Sequence, residues 1–376
     1  MRKIIYISGS RADFGLMKST LSLIHKEKSL SLKIVATGTH LLERYGKTIS
    51  DIEDEGLEII NKVHVSLSGS SGYEMAIAVS DQIKNFSDIL QSARPDLVLL
   101  LGDRGEMLAA AIAAVHLGIP IVHIHGGEIS GTIDESFRHA ITKLSHYHFC
   151  STEAAANRLR NMGEKNDYIF VVGAPGIDEI KTIEPISRKE LLNKFNIDAI
   201  KPFFLMLYHP VHQESEDSDK QIEIIMNGLL KFNTQIIALA PNSDSGGKLI
   251  LSSLDKYKEQ KKIHLITHLK RSEYLSLLSE AEVFIGNSSS GIIESASTGT
   301  PFVNIGSRQS YRERSNNTID ARLNSKEIYE SVIVAKNMNK QSFKNIYGMG
   351  DSGKKIVNLL KKIKINKNIL YKINAY

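Results

Sequence analysis

The chain has 376 residues, 42% hydrophobic and 24% charged, with 47 Lys and Arg against 42 Asp and Glu for a net charge of +5. This is the composition of a globular protein with real cores, long enough for two domains at roughly 150 residues each. The mild basic excess suits an anionic ligand and makes no case for nucleic acid, and a single cysteine, Cys150, excludes an intramolecular disulfide.

The opening stretch MRKIIYISGS enters a strand with no signal-like apolar region, and no segment holds eighteen uninterrupted apolar residues. The expectation is a cytoplasmic protein with no membrane association. Apolar runs then recur with helical stretches between them: KIIYISG, LKIVATGT, DLVLLLGD, PIVHIHGG, YHFCST and IFVVGAP, followed by FFLMLYHP, QIIALAP, IHLITHL, VFIGNSS and PFVNIGS. Unbroken apolar strands alternating with helices indicate parallel sheets covered on both faces. The two series predict two doubly wound α/β domains, residues 1–180 and 181–350. The lysine-rich stretch from about 351 to 376 reads as an amphipathic helix that returns to the first domain. Cys150, in YHFCST, reads as a buried structural thiol. The active site is expected in the interdomain cleft, where strand carboxyl ends face each other.

Several strand ends carry polar residues suited to chemistry. In SGSRADFG, backbone N–H groups and Arg11 suit an anion, although the spacing is not GxGxxG; a tight turn capped by Asp13 with Arg11 in solvent fits equally well. DLVLLL runs into GDRGEM, where Asp103 and Arg104 at the end of a buried strand either brace a loop or meet a charged ligand. The densest constellation is HIHGGEISGTIDESFRH, with His125, Glu128, Asp134, Glu135, Arg138 and His139. It lacks a zinc spacing such as HExxH and suits proton transfer beside an anion; Asp134 and Arg138, four apart, also fit a plain surface pair. His209 ends FFLMLY, where it suits a phosphate contact, a proton shuttle or a bond to a neighbouring loop, and PNSDSGG ends QIIALA. In GNSSSGIIE three serines precede a helix and suit a diphosphate without a metal, while Glu294 suits a ribose diol.

GDRGEM, HIHGGEISGTIDESFRHAITKLSHYH, YHPV, PNSDSG, IGNSSSGIIE and GSRQSYRE occur in order over essentially the whole chain. Together they resemble the hydrolysing UDP-N-acetylglucosamine 2-epimerase family, in its sialic- and legionaminic-acid branch. The resemblance implies a GT-B type fold of two Rossmann-like domains, no cofactor or metal, and a homodimer or tetramer. It implies loss of UDP from a UDP-2-acetamido sugar to give a 2-acetamidoglycal, then hydration to a free manno-configured sugar. UDP-GlcNAc and UDP-N,N'-diacetylbacillosamine both remain open as substrates.

Carried onto this chain, the resemblance gives Ser288, Ser289 and Ser290 to the diphosphate, Glu294 to the ribose and His268 to the uracil, with His209, Asn242 and Arg308 lining the pocket. Arg11 and Arg104 reach the diphosphate from the first domain, and His40 lies near the sugar. Asp103 and Asp134 match catalytic acids, with Arg138 beside the second. Where many relatives read HIEGGE, this chain reads HIHGGE, so His125 stands at a position usually given to a carboxylate; either its imidazole transfers the proton, or Glu128 takes over, or the change reflects a different sugar. Two other readings use the same grip: a GT-B glycosyltransferase with a UDP-sugar donor, and a UDP-sugar-binding regulator without catalysis.

Overall fold

The computed structural model describes residues 1–43, 48–65, 72–129, 133–211, 216–241 and 246–375. They form two units, residues 1–179 with the tail from Tyr347 onward, and residues 180–346.

The first unit is built on β1 (Arg2–Ser8), β2 (Leu30–Thr37), β3 (Ile59–Val63), β4 (Leu97–Leu101), β5 (Ile121–Ile124), β6 (Tyr147–Cys150) and β7 (Ile169–Val171), in the order β3-β2-β1-β4-β5-β6-β7. Every pairing is parallel. The unbroken run LVLLL of β4 is explained by its two faces. Leu97, Leu99 and Leu101 pack with Phe14, Met17 and Leu21 of the helix Arg11–Lys26. Val98 and Leu100 pack with Phe86 and Leu90 of Gly72–Ala93 and with Met107 and Ala110 of Gly105–His116. Burying each such Leu contributes about 1.5–3 kcal/mol. Cys150 is buried, and burial pushes its thiol up to about 12, which leaves it an inert core residue.

The tail helix is Ser352–Lys362, and its Ile356 and Leu360 join the same core as Phe14. Asp178 accepts from the Ser352 and Gly353 amides at its start, and Arg2 donates to the Leu360 and Ile363 carbonyls at its end. The helix therefore stops well short of 376. Ile363 and Ile365 are β-branched, Asn366 caps a separate turn at Lys367–Leu370, and Tyr147 donates to the Lys364 carbonyl at 2.7 Å.

The second unit holds β8 (Phe203–Leu207), β9 (Gln235–Leu239), β10 (His264–Ile266), β11 (Val283–Gly286), β12 (Phe302–Ile305) and β13 (Thr318–Ala321), again all parallel, in the order β10-β9-β8-β11-β12-β13. Phe204, Met206, Val283, Ile285 and Val303 face Ile222, Ile225, Ile328 and Val332 of two helices. Two strands, β3 and β13, are absent from the expectation. IINKV and TIDA are half-exposed edge strands whose polar residues interrupt the apolar run that marks the central ones.

In both sheets the strand order reverses, between β1 and β4 and between β8 and β11. The loops at such a point diverge and leave room for a ligand beside the strand carboxyl ends.

Buried histidines brace these ends. The wholly buried His123 on β5 lies 2.7 Å by Nε2 from the Gly102 carbonyl, so Nε2 carries the proton. Burial holds its pKa down to about 3, against a smaller upward pull from the Gly102 bond. Below about pH 6.5 the unfolded chain takes up a proton that folded His123 refuses, so stability falls as pH drops from 6.5 toward 3. His123→Gln should flatten that decline by about 1.4 kcal/mol per pH unit. Urea unfolding at pH 7, 6 and 5 checks this; an unchanged slope would show that His123 is not held neutral.

Candidate active site

In the first unit the site residues leave three adjacent strand ends. After β1, Ser10 caps the helix Arg11–Lys26, and Asp13 accepts from the Gly9 amide at 2.9 Å and the Ser10 amide at 2.6 Å. Asp13 therefore caps the turn, with its carboxylate on those two amides. Arg11 is half-exposed and pairs with Asp51 at 3.2 Å. His40 is wholly buried, with Nε2 2.9 Å from Ser8 Oγ and Nδ1 2.9 Å from Thr48 Oγ1. Ser8 Oγ in turn contacts Asp13 at 2.5 Å. Burial brings His40 down to about 4, so it is a neutral link in a buried chain. Both of its ring nitrogens are engaged, and the ring supports the β1 end.

After β4, Asp103 is ion-paired with Arg138, whose side chain is only 2% exposed. Arg138 belongs to the helix Ile133–Leu144, and the pair joins two segments 35 positions apart. Arg138 is thus a buried partner of Asp103 rather than half of a surface pair. A guanidinium this deeply buried is tolerable only against a carboxylate. Arg104 is exposed, with Nε 4.0 Å from Glu106. Asp134, in the first turn of the same helix, is half-buried, and His139 lies 3.4 Å from Glu135.

After β5, His125 adopts φ +65 and Gly127 φ +77. A Cβ on Gly127 would lie 2.3 Å from the Ala155 carbonyl, so only glycine lets this turn settle on the helix Glu153–Asn161. His125 Nδ1 lies 2.9 Å from Glu128 Oε1, which also accepts from Ser151 Oγ at 2.6 Å. His125 Nε2 is buried and has no hydrogen-bond partner among the described residues. It is the ring atom left for proton exchange. Because Leu101 pairs with Ile124 and the Gly102 amide donates to the Ile124 carbonyl, Asp103 and His125 leave neighbouring strand ends in register.

The second unit builds a polar edge on β8, β11 and β12. At Gly286 (φ +145) a Cβ would fall 1.9 Å from the Leu207 carbonyl. That close approach lets the next residue, Asn287, accept from the His209 amide at 2.7 Å and donate to the His209 carbonyl at 2.8 Å. Arg308 Nη1 donates to the Asn287 carbonyl at 3.1 Å. Burial, and then the charge of Arg308, bring His209 down to about 3, so it is neutral. Ser288 caps the five-residue helix Ser289–Ile293, its Oγ lies 2.9 Å from Ser290 Oγ, and Tyr274 lies 2.6 Å from the same Ser290 Oγ. Ser289 is half-buried beside them. Glu294 ends this helix, buried, in a bidentate pair with Arg271 at 3.0 and 3.1 Å. Each of its oxygens keeps a lone pair for a further donor.

Sequence reasoning missed Asn287, Tyr274, Arg271 and Ser151. Asn287 lay inside a quoted motif, whereas the others follow from pairings between distant segments. His268, beyond β10, is exposed and lines a cavity of about 520 Å³ with Phe195, Ile197 and His264, apart from the serine cluster. The expectation for Asn242 lies outside the described residues. Among the described residues no cluster of three or more His, Cys, Asp or Glu is placed to hold a metal, and no helix is long and apolar enough to cross a membrane.

Residues 22–361 match the profile of a family described as UDP-N-acetylglucosamine 2-epimerase. The UDP-N,N'-diacetylbacillosamine 2-epimerase (hydrolyzing) of Legionella pneumophila is 46% identical over 376 residues, covering 100% of both chains. The GDP/UDP-N,N'-diacetylbacillosamine 2-epimerase (hydrolyzing) of Campylobacter jejuni is 38% identical over 328 residues, 86% of this chain and 85% of that one. The crystal structure of UDP-GlcNAc 2-epimerase from Neisseria meningitidis bound to UDP-GlcNAc matches with a TM-score of 0.81 at 20% identity, over 96% of this chain and 100% of that one. The fold is the expected GT-B type, two parallel-sheet Rossmann-like domains. Matched across its sheets and along nearly its whole length, the chain belongs to the UDP-N-acetylglucosamine 2-epimerase family.

Proposed function

We propose that this protein is a hydrolysing 2-epimerase that converts UDP-N,N'-diacetylbacillosamine to UDP and the free manno-configured 2,4-diacetamido sugar. Full-length 46% identity to an enzyme named for that substrate carries the choice of sugar. The buried Asp103–Arg138 pair beside the His125–Glu128 dyad supports the chemistry. We further propose that the reaction runs in the cytoplasm, in a homodimer or tetramer, and feeds nonulosonic acid synthesis.

In the proposed reaction the second unit holds the nucleotide. Ser288, Ser289, Ser290 and Arg308 take the diphosphate, with Glu294 on the ribose and Arg271 fixing its carboxylate. His268 and Asn242 are assigned to the uracil side. His209, neutral, donates or accepts one hydrogen bond without adding charge. Arg11 and Arg104 supply further positive charge to the leaving group.

The acids of the first unit act on the sugar. A base removes the C2 proton while the C1–O bond to UDP breaks, and the electron pair leaves with the diphosphate. Water then adds its oxygen to C1, and a proton returns to C2 from the opposite face, which inverts that centre. The two faces need two proton-transfer groups. Asp103, oriented by Arg138, is one. His125 Nε2, backed by Glu128, is the other, with Asp134 beside them. A proton taken at Nε2 makes an imidazolium whose charge Glu128 offsets at 2.9 Å.

The first test is proton NMR of the protein with UDP-N,N'-diacetylbacillosamine, and separately with UDP-GlcNAc, in D2O. Release of UDP with a manno sugar deuterated at C2, faster from the first substrate, is expected. Faster turnover of UDP-GlcNAc would reassign the sugar, and UDP binding without turnover of either would favour a transferase or a regulator.

Asp103→Asn keeps the shape and removes the base. The kcat should fall by at least about a hundredfold, while UDP affinity by calorimetry stays near wild type; an unchanged kcat would remove Asp103 from the reaction. Glu294→Ala should do the reverse, raising KM about tenfold through loss of the ribose acceptors and leaving kcat near wild type. Equal losses in kcat would move Glu294 away from uniform nucleotide binding.

A further inference from the structure

The last residues of the chain carry a lysine that the proposed reaction leaves unused. Lys372 Nζ, three-quarters buried, donates to the Thr142 carbonyl at 2.9 Å and the Ser145 carbonyl at 2.6 Å, the last carbonyls of the helix that bears Arg138. Its third contact is Glu164 Oε2 at 2.7 Å. Glu164, 2% exposed, is also met by His148 Nε2 at 3.0 Å and by Lys143 Nζ at 2.9 Å. Lys143 reaches Asn374 at 2.8 Å, and the Ala375 amide donates to the Gly163 carbonyl at 2.7 Å. Three cationic or imidazole donors on one buried carboxylate make a fixed knot. Burial alone would raise the pKa of Glu164, yet the bonds from His148 and Lys372 hold it down to about 2.

The helix end held by this knot is coupled to the β4 strand end by two routes. Thr142 Oγ1 lies 3.3 Å from His123 Nδ1, and Nε2 of that ring holds the Gly102 carbonyl at 2.7 Å, immediately before Asp103. One turn earlier on the same helix, Arg138 pairs with Asp103 itself. Both supports of Asp103 therefore run back to the last turn of Ile133–Leu144.

We infer that Lys372 is a positioning residue for Asp103, acting through the Thr142–Ser145 helix end and His123. This rests on the reading that Asp103 acts on the sugar. A carboxylate displaced by a fraction of an ångström loses rate while leaving most nucleotide binding alone, because the serine, Arg308 and Glu294 contacts to the nucleotide are assigned to the other unit.

The test uses the full chain with Lys372→Met, Lys372→Arg and Thr142→Val. For Lys372→Met, kcat should fall about ten- to a hundredfold with KM and UDP affinity near wild type. Hydrogen exchange in peptides spanning residues 99–108 should rise, and Lys372→Arg should restore most of the rate. Wild-type kcat, or a loss of UDP affinity and a rise in exchange throughout the first unit that match the loss of rate, would overturn the inference. Should Lys372→Met fail to fold, Thr142→Val removes the next link of the same route, from Thr142 Oγ1 to His123 Nδ1, with little change in volume, and a wild-type kcat there overturns it equally. A wild-type protein that turns over no UDP-sugar defeats the functional reading instead, and the exchange of residues 99–108 then decides the Lys372 link.

Discussion

Parallel strands that end along one edge leave their last amides and carbonyls without ladder partners, and a buried polar backbone group without a bond is costly. This constraint shapes both units. Three central strand ends are each closed by one buried side chain: Asp13 takes the Gly9 and Ser10 amides after β1, His123 takes the Gly102 carbonyl after β4, and Asn287 takes both backbone groups of His209 after β8. The loops so closed are stiff, and the candidate catalytic and nucleotide-binding side chains leave from them. Rigidity at the base of the loop makes a defined direction for Asp103 or Ser288 possible.

Charge follows the same economy of placement. Arg138, Glu294 and Glu164 are all buried ions, and each meets opposite charge through bonds of defined geometry. A buried ion without such a partner would cost several kcal/mol, so removing either member of these pairs is worse than removing both. These pairs are best understood as orienting devices. Arg271 turns Glu294, and Arg138 turns Asp103, each at modest net gain in stability.

The legible part of the chain was the part with unbroken apolarity. DLVLLLGD and VFIGNSS announced central strands because both faces of such strands are covered, and the polar residues following them marked the functional edge. The edge strands IINKV and TIDA, half in solvent, carried too little pattern to stand out. The candidate serines and the candidate acids after β4 and β5 were legible because they sit in short motifs directly after strands. Arg271, Tyr274, Ser151 and Lys372 were not, since each acts on a residue 16 or more positions away and nothing local distinguishes an arginine or tyrosine in a first helical turn from a surface one. In SGSRADFG the Asp13 cap forms, and Arg11 keeps its proposed part at the diphosphate alongside it.

The imidazole in HIHGGE has a physical counterpart in the residue three positions on. A direct carboxylate at position 125 would add a second negative charge to a strand edge that already carries Asp103. With His125 there, the negative charge sits on Glu128, behind the ring and held by Ser151 at 2.6 Å from the end of β6. The left-handed backbone at His125 aims the ring, and Glu128 selects the tautomer by binding Nδ1. In the proposed reaction this moves proton exchange to Nε2 while the anchoring charge stays fixed, a division of labour in which one residue carries the proton and another stabilises the result. In the proposed reaction the HIH form of the motif keeps an acid–base pair on the β4 and β5 ends with one fewer anion than the HIE form.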